Sequence, residues 1–587
     1  MNTFDLSHIY KNREEFIIIG LTGRTGAGCS FVSEIFSTDN FEKTFPKSKK
    51  EKLDNNKRKY KISRNFLKHN WKPFYTLKYN KILSLLVYSE KLDNIDDLLR
   101  TTFSEFNTKF GVSNFTKEKE ELTTLKNKTN FKTIDISSNE IELFEFFEKD
   151  NDFKEFHNSF HKALKVENEI NRILILHNLC NNQRKGGCYH CSPDPLLESI
   201  YSISKIINNV IKSYRKYNKK LNEPCRVLID SLRNPLEIMF FKERYSAFYT
   251  LAINPNEDVR EKQLKNRYKN EYKNILKIDL IEYGVKNNRI DFYKQNVQEC
   301  IQKSDLHLSF IKDHSYPFNI EQQIVIFYSL MLHPGLITPS PLERCMQIAY
   351  TAKYNSGCIS RQVGAVITDS NFAIKSVGWN NTPEKQTPCI LRNGQDLIDG
   401  TDENAFSEYE KDKTSSVYTE LDKKLKIITK TNLNGHHCSF CFKDFHNSVV
   451  EGKNQVHTRS LHAEENAMLQ LTKYGGFGVE NGFLFTTASP CELCSKKAYQ
   501  LGIEKIFYID PYPGIARKQI LNCGERSIKL TSFTGAIGKA YHRFYEPFMA
   551  YKDEIYIRTG MVIENKVKKL ENENLKLKQR INELEKN

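Results

Sequence analysis

The stretches LHAEENAML at 461–469 and SPCELC at 489–494 decide how the second half of this chain folds. His462, Cys491 and Cys494 offer one imidazole and two thiolates, which suit a tetrahedral zinc site whose fourth position is left for water. Zinc lowers the pKa of a bound water toward neutrality. Glu464 follows the histidine by two residues and is not needed as a ligand, so its carboxylate can move a proton. The spacing therefore predicts a catalytic zinc centre with Glu464 as its acid and base.

Each half of this pattern has a simpler interpretation when it is taken alone. A single C-x-x-C motif is compatible with a redox pair or a structural metal, and three letters such as H-A-E carry almost no information. Pro490 before the first cysteine and the apolar helix residues after His462 make the combination far more specific. A purely structural zinc remains the alternative.

Length and composition bound the fold and the cell compartment. A chain of 587 residues with 39% hydrophobic residues predicts two or more packed domains. The net charge of +16 favours phosphorylated or polyanionic partners. No run of 18 apolar residues and no apolar signal-peptide centre is present, which predicts a cytoplasmic protein without a membrane partner. In such a compartment the 14 cysteines are expected to be metal ligands or buried thiols.

The N-terminal segment FIIIGLTGRTGAGCSFVSEIF at 16–36 predicts a strand, a glycine loop and a helix, which is the context of a phosphate-binding loop. The loop residues at issue are Gly23, Gly26, Gly28, Cys29 and Ser30. Cys29 stands where that pattern places the lysine that reaches the phosphates. Backbone N–H groups and the helix dipole still favour phosphate, whereas phosphoryl transfer loses a stabilising cation. We therefore expect this loop to bind a nucleoside triphosphate with Mg²⁺ as a sensor rather than as a kinase.

Asp230 ends the predicted strand CRVLID at 225–230 and is the candidate carboxylate for organising Mg²⁺ beside that loop. The segment that follows resembles nucleoside-monophosphate and dephospho-coenzyme-A kinase domains, in which residues such as Arg260 and Arg267 would face phosphates. The simpler alternative is a Rossmann-like strand that ends in a surface aspartate.

The expected fold class is α/β throughout, with three units along the chain. Residues 1–336 are predicted as a P-loop NTPase-like domain with a helical insertion at about 40–220. Residues 337–560 are predicted as an α/β/α domain, and 561–587 as a coiled-coil tail. In that tail Val567, Asn574 and Ile581 occupy a positions and Leu570, Leu577 and Leu584 occupy d positions, which favours a parallel two-stranded coil. A single helix packed on its own domain is the alternative.

The segment SGCISRQVGAVITDSNFAIKSVGWNNTPEKQTPC at 356–389, taken with H-x-E and P-C-x-x-C, resembles the cytidine and deoxycytidylate deaminase superfamily, and most closely the deoxycytidylate deaminases. The resemblance implies a cytidine-deaminase-like fold with a central strand at 363–368. It also implies that Asn380 hydrogen-bonds the nucleotide and that Arg361 lies near its phosphate or shapes the pocket. Asn381 stands where the family has glycine. From the residues alone, Asn380 is equally a turn residue and Arg361 a surface charge.

The same resemblance implies a second, structural zinc held by Cys389, Cys438 and Cys441, with a nearby histidine as the fourth ligand. Free thiols are the alternative. A separate group in the helical insertion, CNNQRKGGCYHC at 180–191, supplies Cys180, Cys188, His190 and Cys191. It is a weaker candidate for a zinc knuckle, and its role stays open.

A P-loop domain fused to a deoxycytidylate deaminase domain is similar in layout to bacterial antiphage deoxycytidine-nucleotide deaminases of the AvcD type. That resemblance implies conversion of dCMP and dCTP to dUMP and dUTP, depletion of dCTP during infection, control by an inhibitory RNA, and a homo-oligomer. The segment 47–72 combines eleven Lys and Arg residues with Tyr60, Phe66 and Trp71, which suits RNA or a solvated helical face equally. A nucleic-acid deaminase and a nucleotide kinase with an accessory deaminase domain remain as alternatives.

Overall fold

The computed structural model describes most of the chain. The described residues are 6–584, with gaps at 48–53, 113, 192–193, 256, 285–290, 311–316, 429, 453, 476–477, 512–513 and 561–565. Their strands are β1 (Phe16–Thr22), β2 (Tyr75–Lys78), β3 (Cys225–Asp230), β4 (Phe248–Ile253), β5 (Leu306–Leu308), β6 (Gly364–Thr368), β7 (Ile374–Trp379), β8 (Phe483–Ala488), β9 (Lys505–Asp510), β10 (Lys529–Ser532) and β11 (Gly535–Ala536). They form two sheets and confirm the mixed α/β class.

The first sheet has the strand order β11-β5-β4-β1-β3-β2, and β1 to β5 are parallel. Strand β1 lies in the middle and is buried along its whole length. This explains its continuous apolar run, because parallel strands are covered by helices on both faces. The glycine loop follows β1 directly and leads into a helix that begins at Cys29, as predicted.

Helices surround this sheet and fill the region predicted as an insertion. They are α1 (Ser7–Glu15), α2 (Cys29–Phe36), α3 (Phe41–Thr44), α4 (Asn55–Asn70), α5 (Tyr79–Ser89), α6 (Ile95–Phe110), α7 (Thr116–Lys128), α8 (Ile141–Lys149), α9 (Asn151–Ala163), α10 (Glu169–Gly186), α11 (Ser202–Lys220), α12 (Pro235–Arg244), α13 (Glu257–Tyr268), α14 (Tyr272–Tyr283), α15 (Val297–Gln302) and α16 (Ile320–Leu332). One strand interrupts the helical region, since β2 pairs with β3 and belongs to the sheet.

The basic segment around α4 does not offer the stacking surface that its aromatic residues suggested. Tyr60 is buried and donates its hydroxyl hydrogen bond to the carbonyl of Pro46. Trp71 donates its indole N–H to the carbonyl of Thr38, and Phe66 packs edge-on against His333. These three rings take part in the packing of the first domain, with Tyr60 buried and Phe66 and Trp71 partly buried.

The second sheet has the order β10-β9-β8-β6-β7, with β6 antiparallel to both neighbours and β8 to β10 parallel. The strand predicted at 363–368 is confirmed as β6, which is buried. The helices of this half and the tail are α17 (Pro341–Ala352), α18 (Gly394–Asp399), α19 (Glu408–Lys411), α20 (Ser416–Ile427), α21 (Lys430–Leu433), α22 (Phe442–Val449), α23 (Ala463–Lys473), α24 (Glu492–Gln500), α25 (Gly538–Tyr545), α26 (Tyr551–Thr559) and α27 (Lys566–Leu584).

The two halves are packed together through shared backbone and side-chain contacts. Strand β11 comes from the second half but pairs antiparallel with β5, so it closes the first sheet. Glu343, in the first turn of α17, accepts hydrogen bonds from the Ala536 N–H at 2.9 Å and from the Tyr545 hydroxyl at 2.7 Å. One hydrophobic cluster runs from Ile17 to Phe485 through both sheets. The domain boundary is therefore crossed by a continuous core.

The tail forms a helix, as the heptad pattern indicates, and its apolar residues face solvent in the single chain. Leu570, Leu577, Ile581 and Leu584 are all more than half exposed. Val567 has a side chain outside the described set. Among the helices that the structure describes, none has the length and apolar character needed to cross a membrane.

Candidate active site

Two helix N-termini bring the three predicted zinc ligands together. His462 is the N-cap residue of α23, Cys491 is the N-cap of α24, and Cys494 lies in the first turn of α24. The Sγ atoms of Cys491 and Cys494 lie 3.3 Å and 3.5 Å from Nδ1 of His462. All three ligand atoms are within 4.8 Å of one another. The residues therefore fit a metal with soft and imidazole donors, as zinc requires.

The placement of α23 depends on a glycine in the neighbouring strand. Gly378 lies in β7 directly under α23, and an added Cβ would be 2.3 Å from the backbone nitrogen of Ala467 and 2.4 Å from the carbonyl oxygen of Ala463. Only glycine allows the helix backbone to approach this closely. The close packing fixes the distance between β7 and the first turn of α23, which carries both His462 and Glu464.

Glu464 is buried beside the ligands and has a polar neighbour that orients it. Its Oε1 accepts a hydrogen bond from Oγ1 of Thr486 at 3.2 Å, and that hydroxyl also lies 2.7 Å from the carbonyl oxygen of Ala488. Burial raises the pKa of Glu464 above its usual value. A carboxyl that takes up a proton more readily is suited to act as a base and then as an acid near neutral pH.

The surroundings of Cys491 favour the thiolate that a metal needs, whereas the neighbouring Cys491 and burial raise the pKa of Cys494. Hydrogen bonds from the Cys494 thiol and from His462 hold the pKa of Cys491 well below its usual range. The N-terminus of α24 adds a favourable dipole. The donor set, its burial and its charge are therefore compatible with a bound zinc ion.

A cavity of about 260 Å³ opens in front of this cluster. Asn380 and Arg361 both line it, together with Glu464 and His462. The amide of Asn380 is largely engaged by backbone, since its Oδ1 accepts from the Val363 N–H at 2.6 Å and its Nδ2 donates to the Arg361 carbonyl at 2.7 Å. Asn380 thus shapes the cavity wall, and one of its amide hydrogens remains for a ligand.

Arg361 is partly exposed and forms an ion pair with the buried Asp510 at the end of β9. Sequence reasoning missed Asp510. The signal was available in KIFYIDP at 505–511, where a carboxylate follows a buried strand. The pair fixes the guanidinium on one wall of the cavity.

The segment 390–460 is held over the cavity by a buried ion pair rather than by clustered thiols. Arg392 and Glu410 are fully buried and bonded at 2.6 Å, and Arg459 adds a second contact to Glu410. The predicted second zinc ligands Cys389, Cys438 and Cys441 do not come together as a compact ligand group in the described residues. Instead, Arg392 donates to Sγ of Cys389 at 3.3 Å. The second zinc stays a prediction.

The cysteine group of the helical insertion is partly assembled. Cys188, His190 and Cys191 place their ligand atoms within 4.8 Å of one another, and the two sulfur atoms are at bonding distance. Cys180 is not part of this group, because it is buried on α10 and lines another cavity. The segment therefore brings together three of the four residues predicted for a knuckle.

A larger cavity of about 830 Å³ lies against the glycine loop. Gly26, Gly28, Cys29, Ser30 and Asp230 line it. Gly26 and Gly28 have φ values of +80° and +99°, which favour glycine, and Gly23 lies at the start of the loop against the Ile253 carbonyl. Oγ of Ser30 donates to Asp230 at 3.4 Å. Hydroxyl and carboxylate thus lie side by side, as a Mg²⁺ site beside phosphates requires.

Cys29 supplies no positive charge to this loop, and arginines supply it instead. Burial raises the pKa of the Cys29 thiol to about 12, so it stays neutral. Arg24 and Arg233 line the cavity and pair with Asp279 and Glu282 of α14. Arg260, which was expected to face phosphates, is instead buried and bonded to Asp279 at 3.0 Å. That expectation was wrong, because the carboxylate on α14 takes up its charge.

Comparisons with known proteins identify the class to which this site belongs. Residues 339–510 match the family model of the cytidine and deoxycytidylate deaminase zinc-binding region. The matched segment spans the three ligands, Glu464, Arg361, Asn380 and Asp510. The second half of the chain is thus a hydrolase domain of the cytidine deaminase class.

Individual relatives share this domain. The deoxycytidylate deaminase of Enterobacteria phage T4 is 29% identical over 168 residues, which cover 28% of this chain and 76% of that protein. The deoxycytidylate deaminase of Schizosaccharomyces pombe is 27% identical over 185 residues, or 31% of this chain and 41% of that protein. Among solved structures, the dCMP deaminase of cyanophage S-TIM5 in complex with dCMP and dUMP matches at 21% identity with a TM-score of 0.20, covering 32% of this chain and 94% of that one.

Proposed function

We propose that this protein deaminates deoxycytidine nucleotides hydrolytically, converting dCMP or dCTP and water to the deoxyuridine nucleotide and ammonia. The observation that carries the proposal is the buried carboxylate of Glu464 beside the His462, Cys491 and Cys494 donors, in the lining of one cavity. Zinc held by these donors would lower the pKa of a water molecule. The phage and yeast relatives are deoxycytidylate deaminases, which supports dCMP as a substrate.

Each residue has a defined task in this reaction. Glu464 takes a proton from the attacking water and delivers it to the ring nitrogen, and afterwards assists the departure of ammonia. Thr486 holds the Oε1 atom of that carboxylate in place. Arg361 contributes a positive charge on the cavity wall, which suits the phosphate of a free nucleotide. Asn380 keeps the backbone of 361–363 in position.

The proposal is tested by incubating the purified protein with dCMP, dCTP and a cytosine-containing oligonucleotide, and measuring uracil products. Glu464→Gln is expected to lower kcat by at least ~10²-fold while the zinc content is unchanged. Glu465→Gln is the matched control, because Glu465 is next in sequence but pairs with Lys497 at the surface. Conversion of the oligonucleotide alone would favour a nucleic-acid deaminase instead, and full activity in Glu464→Gln would refute the assignment.

We further propose that the glycine-loop domain binds a nucleoside polyphosphate with Mg²⁺ and regulates the deaminase. Support comes from the parallel sheet with the loop after its central strand, the Ser30–Asp230 pair and the arginine-lined cavity. Asp230→Asn is expected to weaken Mg²⁺-dependent binding of ATP at least ~10-fold, with the exposed Asp412→Asn as control. Phosphoryl transfer from ATP to dCMP by the wild type would favour the kinase alternative, which the neutral Cys29 argues against.

The biological setting is proposed from the layout of the two domains. Deamination of dCTP or its precursor would deplete a nucleotide needed for phage replication. The net charge of +16 and the exposed Lys61 and Lys68 of α4 would attract an inhibitory RNA. Binding of such an RNA should weaken steeply as salt rises. A homo-oligomer is supported by the apolar face of α27.

A further inference from the structure

The buried carboxylate of Asp510 lies where the two halves of the chain meet. It accepts hydrogen bonds from the hydroxyl of Tyr283, from Nε2 of Gln298 at 2.8 Å and from Nε2 of Gln302 at 2.9 Å. Its fourth partner is Arg361. Three of its four partners therefore belong to α14 and α15 of the N-terminal half, while the fourth lines the deaminase cavity.

The same helix α14 also touches the glycine loop. Arg24 pairs with Asp279, and Oγ1 of Thr25 donates to Glu282 at 2.5 Å. The guanidinium of Arg24 also lies over the ring of Tyr283, 4.9 Å from its centroid. One residue, Tyr283, thus meets the loop through its ring and Asp510 through its hydroxyl.

Phosphate in the glycine loop would compete for the groups that now hold α14. The carboxylates of Asp279 and Glu282 are buried and pair with Arg24 and Arg233, which line the loop cavity, while Asp279 also pairs with the buried Arg260. A polyphosphate binds the same guanidinium groups through charged hydrogen bonds. Drawing Arg24 toward a ligand changes its contact with the ring of Tyr283 and its pairing with α14. A change in the contacts of Arg24 in the loop is therefore expected to change the position of the Tyr283 hydroxyl.

We propose that Tyr283 and Asp510 are positioning residues that transmit the occupancy of the glycine-loop cavity to Arg361 in the deaminase cavity. This inference rests on the proposed binding of a nucleoside polyphosphate at the loop. The ligand acts on Arg361, which faces the substrate, and not on the zinc ligands or Glu464. The effect therefore falls on the KM for the nucleotide more than on kcat.

The test uses the full chain and three probes, namely the magnesium salts of ATP, GTP and inorganic tripolyphosphate. Tyr283→Phe removes the hydroxyl that reaches Asp510 and keeps the ring that Arg24 covers. Tyr245→Phe is the matched control, because its hydroxyl donates to Asn208 at 2.7 Å and it lines neither cavity. Probe binding is measured directly by calorimetry, and KM and kcat for dCMP are measured with and without each probe.

A saturating probe is expected to change the KM of the wild type and of Tyr245→Phe at least ~5-fold, which is the lower end of measured coupling between sites. In Tyr283→Phe the change should fall below ~2-fold although the probe binds with the same affinity. Asp510→Asn should also abolish the response, and adding Tyr283→Phe to it should have no further effect, because both act on one contact.

Hydrogen exchange of the peptide 357–365 supplies a readout that does not depend on turnover. Probe binding should alter its exchange in the wild type and the Tyr245→Phe control but not in Tyr283→Phe. Absence of deamination with an altered exchange pattern would refute the proposed function alone. An equal response in Tyr283→Phe and wild type, bound probe without any response, or no binding of any probe would overturn the proposed transmission.

Discussion

Gly378 is the position at which a single methyl group should damage the active site most directly. Its added Cβ would meet the nitrogen of Ala467 at 2.3 Å and the carbonyl oxygen of Ala463 at 2.4 Å. Both are backbone atoms of α23, so no side-chain rotation can relieve the overlap. The helix must retreat from β7 by about 1 Å to restore ordinary contact in a close-packed interior.

Two consequences of Gly378→Ala follow from that displacement. Overpacking of this kind lowers the free energy of unfolding by about 3 kcal/mol, which is the upper end of the usual range for added methylene groups. The first turn of α23 carries His462 and Glu464, so both move relative to Cys491 and Cys494. A shift of about 1 Å in a catalytic group lowers kcat by ~10²-fold. We therefore expect weaker zinc retention together with lower activity.

The measurement combines urea unfolding, zinc content after dialysis and kcat for dCMP. Gly478→Ala is the matched control, because a Cβ there meets no atom within 4 Å. It should change stability by less than ~0.5 kcal/mol and leave kcat unaltered. If Gly378→Ala kept wild-type zinc content and kcat, the argument that this strand sets the height of α23 would be wrong.

Three further changes address other parts of the molecule. Arg392→Leu leaves the buried Glu410 with only the longer contact to Arg459 and should cost about 3 kcal/mol in urea unfolding, whereas Lys411→Met, which breaks an exposed pair, should cost under ~1 kcal/mol. Burial and two neighbouring lysines lower the pKa of Lys353 to about 7. The unfolded chain therefore binds this proton more tightly than the folded chain, and the free energy of unfolding should rise from pH 7 to 10. In Lys353→Met this rise should shrink, and the free energy of unfolding at pH 7 should increase. A chain that ends at residue 560 should have a smaller oligomeric mass in sedimentation, because α27 has lost its exposed apolar face; an unchanged mass would refute association through the tail.

The features that could be predicted from the sequence are those that depend on a short, continuous stretch of residues. The strand at 16–22, the helix that begins at Cys29 and the capped helix at Pro341 each follow from local pattern and turn chemistry. The three metal donors were found for a related reason, since a short spacing on two helix starts fixes which side chains can meet. Local information was enough where the structural cause is local.

The features that were missed depend on residues far apart in the chain. Strand β11 lies more than 200 residues after β5 and has only two residues. So short a stretch has no sequence pattern that predicts its pairing with a distant strand. Tyr60 and Trp71 look like a nucleic-acid platform in the sequence, but Tyr60 is buried and the indole N–H of Trp71 is bonded to the Thr38 carbonyl. Arg392 and Glu410 read as surface charges, because only the folded segment shows that both are enclosed.

The interface between the halves offers an explanation for the neutral thiol of Cys29 at the lysine position of the loop. A loop that transfers phosphate needs a cation there, whereas a loop that only binds one can draw on arginines from elsewhere in the cavity. Arg24 and Arg233 are such groups, and both are tied to α14, the helix that also supplies Tyr283 to Asp510. Under the proposed transmission, these arginines would supply positive charge to a bound phosphate and would also link the loop to α14. The absence of the lysine is thus consistent with a domain that acts on its neighbour instead of on its own ligand.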